Sequence, residues 1–207
     1  SSPDDIYFVG DNGSIVHYDG SVFRRMESGT PFDLHDIWGV DDEHIWIVGH
    51  SMFSTPYGEV MLSWNGISWD KVYETYHKFP RSTDQVLNDI EGILGHSVWT
   101  IDIDEILIAG FAGSYKYIPD STKFFKLDDP HTHVQYKVRG NSANDFITVG
   151  QASEISHYNG STWYLYPELK ALFGGTIYWY SVDVHGDLAV ACGHPGFNTG
   201  IITIGRR

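Results

Sequence analysis

The 207-residue sequence predicts an all-β chain built as a β-propeller, most simply of five four-stranded blades. Three observations carry this. An apolar run closed by glycine recurs as "IYFVG", "IWIVG", "ILIAG", "FITVG" and "LAVACG", with glycines at 10, 49, 110, 150 and 193 and gaps of 39, 61, 40 and 43. A longer phrase is written twice with little change, "IVHYDGSVFRRM" from Ile15 and "ISHYNGSTWYLY" from Ile155. The runs are rich in Val, Ile, Tyr, Phe and Trp, and Asp-Gly or Asn-Gly pairs separate them, as tight hairpins between strands require. Self-similarity near forty residues marks a repeat architecture, in which each unit buries its apolar faces on its neighbours.

Each repeat reads as four strands in order. The first is the apolar run eleven residues before the glycine, marked by Trp38, Trp99, Arg139 and Val182; Ser1 stands too close to Gly10 for a counterpart in the first repeat. The second ends in the glycine itself and is apolar at nearly consecutive positions, as a strand covered on both faces is. The third carries Tyr18, Trp64, Tyr117, Tyr158 and, in the last repeat, Ile204. The fourth follows a turn, in "SVFRRM", "SWDKVY", "KFFKL" and "TWYLY". These last two alternate more, as outer strands do. Asp19-Gly20 and Asn159-Gly160 then form hairpins, and the repeated phrase is architecture. The units run over 1–31, 32–75, 93–128, 132–168 and 174–207, with an insertion at 76–95, in a single domain. The first lacks its innermost strand and the last its outermost, so the expected ring is closed by a segment preceding Ser1 that supplies both and covers the exposed edges.

The phrases "DIWGVDDEHIWIVG" and "GSIVHYDGSVF" resemble the repeat of secreted or surface-attached bacterial propellers, loosely similar to photosystem II assembly factor-like and sialidase-like repeat propellers. The resemblance spans the whole chain, with "KYIPDSTKFFKL" a degenerate copy. It implies an extracytoplasmic protein, whether secreted, periplasmic or surface-anchored. A sialidase Asp-box is not matched, because Asp and Gly are adjacent here, and six arginines do not furnish a sialidase carboxylate clamp.

Composition narrows the partners. Twenty-seven acidic against 13 basic residues give a net charge of −14, which repels nucleic acid and anionic lipid surfaces. No window approaches the length of an apolar membrane span. Cys192 is alone, so no disulfide framework and no thiolate metal site is expected, and "LAVACG" reads as a small hydrophobe in a buried strand. Short acidic turns such as "DDE" and "DIDE" read as turn formers rather than calcium ligands.

Irregular lengths gather in the connections that leave one face of a propeller. Gly49 to Trp64 is 15 residues where other repeats use 7 or 8, and Trp64 to Trp99 is 35 where others use 20 to 24. Within the longer connection, Ser82-Thr83-Asp84 followed by Val86, Leu87, Ile90 and Ile93 predicts a short capped helix. Long ordered loops in compact domains are usually functional. The same face collects His35, His50, His77, His96, His131, His133 and His194 with Phe53, Tyr57, Tyr76, Phe79, Phe173 and Phe197. The candidate ligand-binding set is therefore His35, His50, Phe53, Tyr57, His96, His133, Phe173 and His194. His35 and His96 share a register three residues before Trp38 and Trp99, held by Tyr136 and Trp179 in the next two repeats. That pair is the candidate for a divalent metal, with packing between blades as the competing reading; no other cofactor is expected. Loop-face acids Asp33, Asp36, Asp84, Asp89 and Glu91 come from two adjacent junctions only, which speaks against an axial catalytic carboxylate set. The expected function is a non-enzymatic module that recognises a protein or carbohydrate through this face. A glycosidase or metal-dependent hydrolase and a structural spacer in a surface assembly are the alternatives.

Overall fold

The computed structural model describes residues 3–52, 54–77, 95–111, 113–173, 176–196 and 199–206. The chain divides into two compact units, Ser1–Val98 and Trp99–Arg207. In the first unit, β1 (Ile6–Gly10), β2 (Ser14–Tyr18) and β3 (Phe23–Met26) form a three-stranded sheet in chain order. A four-stranded sheet follows, from β4 (Leu34–Gly39), β5 (Ile45–Ser51), β6 (Tyr57–Trp64) and β7 (Trp69–His77). The strand β8 (Gly95–Trp99) lies where the units divide and belongs to the third sheet with β9 (Ile106–Gly110), β10 (Gly113–Ile118) and β11 (Lys123–Lys126). In the second unit, β12 (Gln135–Ser142), β13 (Asp145–Gly150), β14 (Ile155–Tyr158) and β15 (Trp163–Leu165) make the fourth sheet. After the short helix α1 (Pro167–Phe173), β16 (Tyr178–His185), β17 (Leu188–His194) and β18 (Ile201–Arg206) make the fifth. Neighbouring strands pair antiparallel in chain order, so each sheet is the meander of a propeller blade. The capped helix read at 82–93 lies outside the described residues.

Turn chemistry explains the repeated phrase. The side-chain oxygens of Asp19, Asn65 and Asn159 each accept two backbone N–H bonds from the residues two and three further on, and Gly20, Gly66 and Gly160 follow at φ of 86°, 87° and 88°. Asp41 and Asp102 close their turns in the same way, so the acidic turn residues spend their carboxylates on the backbone. The histidine of "HYDG" and "HYNG" also has a fixed partner. His17 Nε2 lies 2.6 Å from Asp5 Oδ1 and His157 Nε2 lies 2.7 Å from Asp145 Oδ1, while Lys116 and Glu105 pair at 2.7 Å in the corresponding places of the third sheet.

The glycines that end the second strands have a steric reason. Gly49 pairs with Leu34, Gly150 with Gln135 and Gly193 with Trp179. A Cβ on any of the three would overlap the carbonyl oxygen of Asp33, Val134 or Tyr178 and approach the next Cα to 2.8–2.9 Å. Gly10 is the exception, with nothing within 4 Å of an added Cβ, because among the described residues β1 pairs with β2 alone.

Neighbouring sheets pack face to face. In the first unit Tyr7, Val9 and Ile15 of the first sheet meet Ile45, Ile47, Val60, Leu62 and Trp69 of the second. In the second unit Ile147, Val149 and Ile155 of the fourth sheet meet Val182 and Ala191 of the fifth, with Trp179 fully buried among them. The buried carboxylate of Asp36 ties β4 to β8, accepting from Ser97 Oγ at 2.7 Å and Val98 N at 3.0 Å. Asp36→Ala is expected to cost about 3 kcal/mol, since it removes a buried charged acceptor that serves two donors, against about 1 kcal/mol for Ser97→Ala, which removes one of the two bonds. Urea unfolding of the two variants measures the difference; equal costs would contradict the tie.

Two sequence expectations need correction. In the last repeat the register runs one residue out: Asp183, not Val182, matches Trp38 and Arg139, and Gly205, not Ile204, takes the place of Trp64 and Tyr158. For β16 the cause is the two-residue turn Gly186-Asp187, shorter than the "VDDEH" connection of the second sheet; the shift of Ile204 belongs to the separate connection between β17 and β18. Cys192 is exposed, because it points from β17 to the face of the fifth sheet opposite the packed one.

Candidate functional site

The first strand of a sheet departs from regular pairing next to the glycine. Leu34 pairs with Gly49 and Asp36 with Val48, which leaves His35 as the extra residue of a β-bulge. Gln135 pairs with Gly150 and Lys137 with Val149, leaving Tyr136; Trp179 pairs with Gly193 and Ser181 with Cys192, leaving Tyr180. A bulge re-aims the extra side chain, and all three bulges carry a ring. Beside each ring sits the residue after the glycine: His50, Gln151 or His194.

In the first unit this arrangement makes a histidine seat. His35 Nε2 lies 3.0 Å from the His50 carbonyl oxygen, so the ring donates there. The ring centroids of His35 and His50 are 4.2 Å apart, those of His50 and His96 4.6 Å, and those of His35 and His96 5.4 Å. Burial, with the neighbouring His96 and His35 adding to it, drives His50 well below the usual imidazole range. Burial and then His35 bring His96 to about 3. Both are neutral at pH 7. His35 is exposed, so the seat has one open ring over two sheltered ones. Opposite His50 on β6 stands Glu59, whose carboxylate is fully buried, with Tyr73 Oη at 3.3 Å and His77 Nε2 at 3.4 Å.

In the second unit the equivalent seat is made of tyrosines. Tyr136 and Tyr180 stack at 5.0 Å, and the Tyr180 and His194 centroids are 5.2 Å apart. Gln151 Nε2 donates to Tyr136 Oη at 2.7 Å. Burial raises the Tyr136 phenol above its ordinary value, against the Gln151 bond and with smaller help from Tyr180 and Tyr178.

The residues singled out in the sequence therefore fall into different settings. His35, His50 and His96 come together. His194 joins the tyrosine seat instead. His133 belongs to a separate knot, in which Glu154 is 3.1 Å from His131 Nδ1, 3.0 Å from His133 Nδ1 and 2.8 Å from Thr132 Oγ1. Burial pushes the Glu154 carboxyl up, but the bonds from His131, His133 and Thr132 outweigh it and hold it at about 2. Tyr57 opens β6 opposite His77, half-buried. Phe53 lies outside the described residues, and Phe173 ends α1 with its side chain outside them as well. Tyr136 shares the register of His35, as the sequence predicts, whereas in the last repeat that place belongs to Tyr180 and not to Trp179, which is core, opposite Gly193. Among the described residues no group of three or more His, Cys, Asp or Glu side chains is arranged to hold a metal ion. A cavity of about 730 Å³ in the first unit is lined by Tyr7 and Trp38 and by Asp5, Asp41 and Asp42, beside the edge of β1 that pairs with no strand among the described residues, and none of the three histidines lines it.

No protein-family model matches the chain, and no curated protein matches it. Among solved structures, YCF48 bound to D1 peptide is similar over 98% of this chain at 14% identity, with a TM-score of 0.61. YCF48 from Cyanidioschyzon merolae aligns with 99% of this chain and 81% of its own at 12% identity, with a TM-score of 0.46. This chain spans 62% of the length of the first of these. At such identities the likeness speaks to architecture, and with the five meandering sheets it establishes that the chain folds as a β-propeller.

Proposed function

We propose that the chain is a non-enzymatic propeller that recognises a polypeptide segment through its bulge seats, histidine-bearing in the first unit and tyrosine-bearing in the second. The observation that carries this reading is the use of a ring at each of the three bulges that lie beside a strand-ending glycine, His35, Tyr136 and Tyr180, where hairpin geometry asks for none. Such rings offer large contact area for little lost side-chain entropy. His50 and His96 bring no positive charge at neutral pH, and the chain carries a net −14. Aromatic faces in an acidic protein favour a segment containing Lys or Arg, through cation–π contact and long-range attraction. That a structure of the same fold holds a D1 peptide supports a polypeptide ligand over a glycan.

The test is a peptide array of mixed charge probed with the chain and with two variants at exposed positions, Tyr180→Ala and His35→Ala. The chain is expected to retain Lys- and Arg-containing peptides, and at least one variant to weaken that retention about tenfold with an unchanged melting temperature, as loss of an aromatic anchor does. Undiminished retention by both variants, or an empty peptide array beside a positive glycan array, would overturn the reading.

A further inference from the structure

The histidine seat of the first unit fixes a tautomer. His35 Nε2 lies 3.0 Å from the His50 carbonyl oxygen, and a carbonyl only accepts, so Nε2 carries the hydrogen. The bond made at one ring nitrogen sets the state of the other, which in the neutral imidazole leaves Nδ1 as a bare acceptor. Among the described residues none bonds to that nitrogen, and the ring that carries it is exposed.

The ring is also held in place. The bulge between β4 and β5 aims it, the Nε2 bond ties it to the strand it pairs with, and the rings of His50 and His96 stand beside it at 4.2 and 5.4 Å, tilted by 44° and 49°. An acceptor fixed by these contacts loses little freedom when it is used. The matching bulge of the fourth sheet has the opposite polarity. There Tyr136 Oη accepts from Gln151 Nε2 at 2.7 Å, so the residue after the glycine donates a side chain where His50 offers its carbonyl. A nitrogen lone pair is thus presented by the bulge ring of the second sheet and not by that of the fourth. Its surroundings are acidic: Asp33 and Asp36 flank His35 in the chain, and Glu59 stands opposite His50 across β5 and β6.

From this geometry we infer that His35 Nδ1 is the polar contact of the histidine seat, accepting one hydrogen bond from a primary ammonium, a Lys side chain or a free N-terminal amine, in preference to a guanidinium. The inference deepens the proposed peptide recognition and rests on it. An ammonium is a compact charge with three rotatable donors, so it gives one to Nδ1 and keeps the others in water. A guanidinium presents a rigid planar fork that two parallel acceptors satisfy, and one lone pair in the ring plane meets only half of it. The acidic surroundings favour either cation over a neutral donor. The lone pair then discriminates between the cations.

The probes are the peptides GSKSG and GSRSG with both ends capped, capped GSKSG acetylated on the lysine nitrogen, and GSASG with and without its N-terminal cap. Each is titrated near pH 7.5 into the 15N-labelled 207-residue chain, with the His35 ring nitrogens followed by NMR. The free chain is expected to show His35 protonated at Nε2. Capped GSKSG or uncapped GSASG should shift the Nδ1 signal and bind at least about fivefold more tightly than GSRSG, and which of them does so separates a side chain from a terminus. Acetyl-lysine GSKSG and capped GSASG should leave the signal in place. His35→Phe keeps a ring at the bulge and removes the acceptor, so it should abolish the preference for the ammonium, read by anisotropy of labelled peptides, with an unchanged melting temperature. A ring protonated at Nδ1, equal binding of GSRSG and both ammonium peptides, or a preference that survives His35→Phe overturns the inference. Array retention that falls for His35→Ala but not for His35→Phe overturns the ammonium contact and leaves peptide recognition standing. Retention unchanged in both His35 variants and in Tyr180→Ala overturns the two together.

Discussion

Replacing Gly150 by alanine is expected to destabilise the chain by about 3 kcal/mol or more, whereas the same change at Gly10 should leave stability within about 0.5 kcal/mol. The two glycines end matching runs, "FITVG" and "IYFVG", and nothing in their local sequence separates them. The difference is tertiary. A methyl on Gly150 would overlap the Val134 carbonyl oxygen and lie 2.9 Å from Gln135 Cα, both on the backbone of the neighbouring inner strand or its approach. Backbone cannot yield as the end of a flexible side chain does, so the ladder between β12 and β13 must open or shift. Gly10 meets nothing within 4 Å, and a strand residue without a clash gains slightly from alanine by lowering the entropy of the unfolded chain. Gly49→Ala and Gly193→Ala should behave like Gly150→Ala, because their added Cβ would meet Leu34 Cα at 2.8 Å and Trp179 Cα at 2.9 Å. Urea unfolding followed by tryptophan fluorescence compares the four variants. Equal costs at 10 and 150 would remove the steric account of the repeat.

A second large effect is expected from acid. His96 has a folded-state pKa of about 3 against an ordinary value of 6.5, so the unfolded chain binds a proton there that the folded chain refuses. Stability from this group is complete above pH 6.5 and is lost as the pH falls from 6.5 toward 3. At about 1.4 kcal/mol per pH unit, the loss from His96 reaches about 2 kcal/mol by pH 5. His50 acts in the same direction, because its burial beside His96 and His35 also lowers its pKa. Glu154, held at about 2, contributes only below its ordinary value of 4.5, so the interval from pH 7 to 5 reports the histidines. Unfolding free energies measured across that interval should fall for the parent chain and flatten for His96→Gln. A parent chain equally stable at pH 7 and pH 5 would contradict the buried, neutral histidine pair.

Much of the fold could be read from residue order because its determinants are local. Asp19-Gly20, Asn65-Gly66 and Asn159-Gly160 cap their own turns, and the alternation around them sets strand type without help from distant residues. Register in the last repeat was not so readable. Counting back from Gly193 assumes a turn as long as that of the second sheet, and the shorter Gly186-Asp187 turn displaces Val182 and Trp179 by one place, while Ile204 is displaced in the connection between β17 and β18. The bulges are hidden for a related reason: one extra residue leaves the apolar pattern on either side intact, so His35 and Tyr136 were aligned without any sign that they bulge. The histidine seat was partly readable, since His35 and His96 share a register, yet His50 enters it only through pairing across β4 and β5. Loop position alone puts His133 with these histidines, whereas its hydrogen bond with Glu154 follows from a hairpin more than twenty residues away. An apolar strand predicts a buried Cys192, while its exposure depends on which face of the fifth sheet is covered.

The most direct test of this account is an experimental crystal structure of the chain, inspected at the three glycine-bounded strand ends. The account predicts antiparallel four-stranded or three-stranded meanders in which Gly49, Gly150 and Gly193 face Leu34, Gln135 and Trp179, with His35, Tyr136 and Tyr180 as the extra residues of bulges. Strands packed as a two-layer sandwich, or these glycines paired elsewhere so that the three rings point in unrelated directions, would contradict both the propeller and the seats built on it.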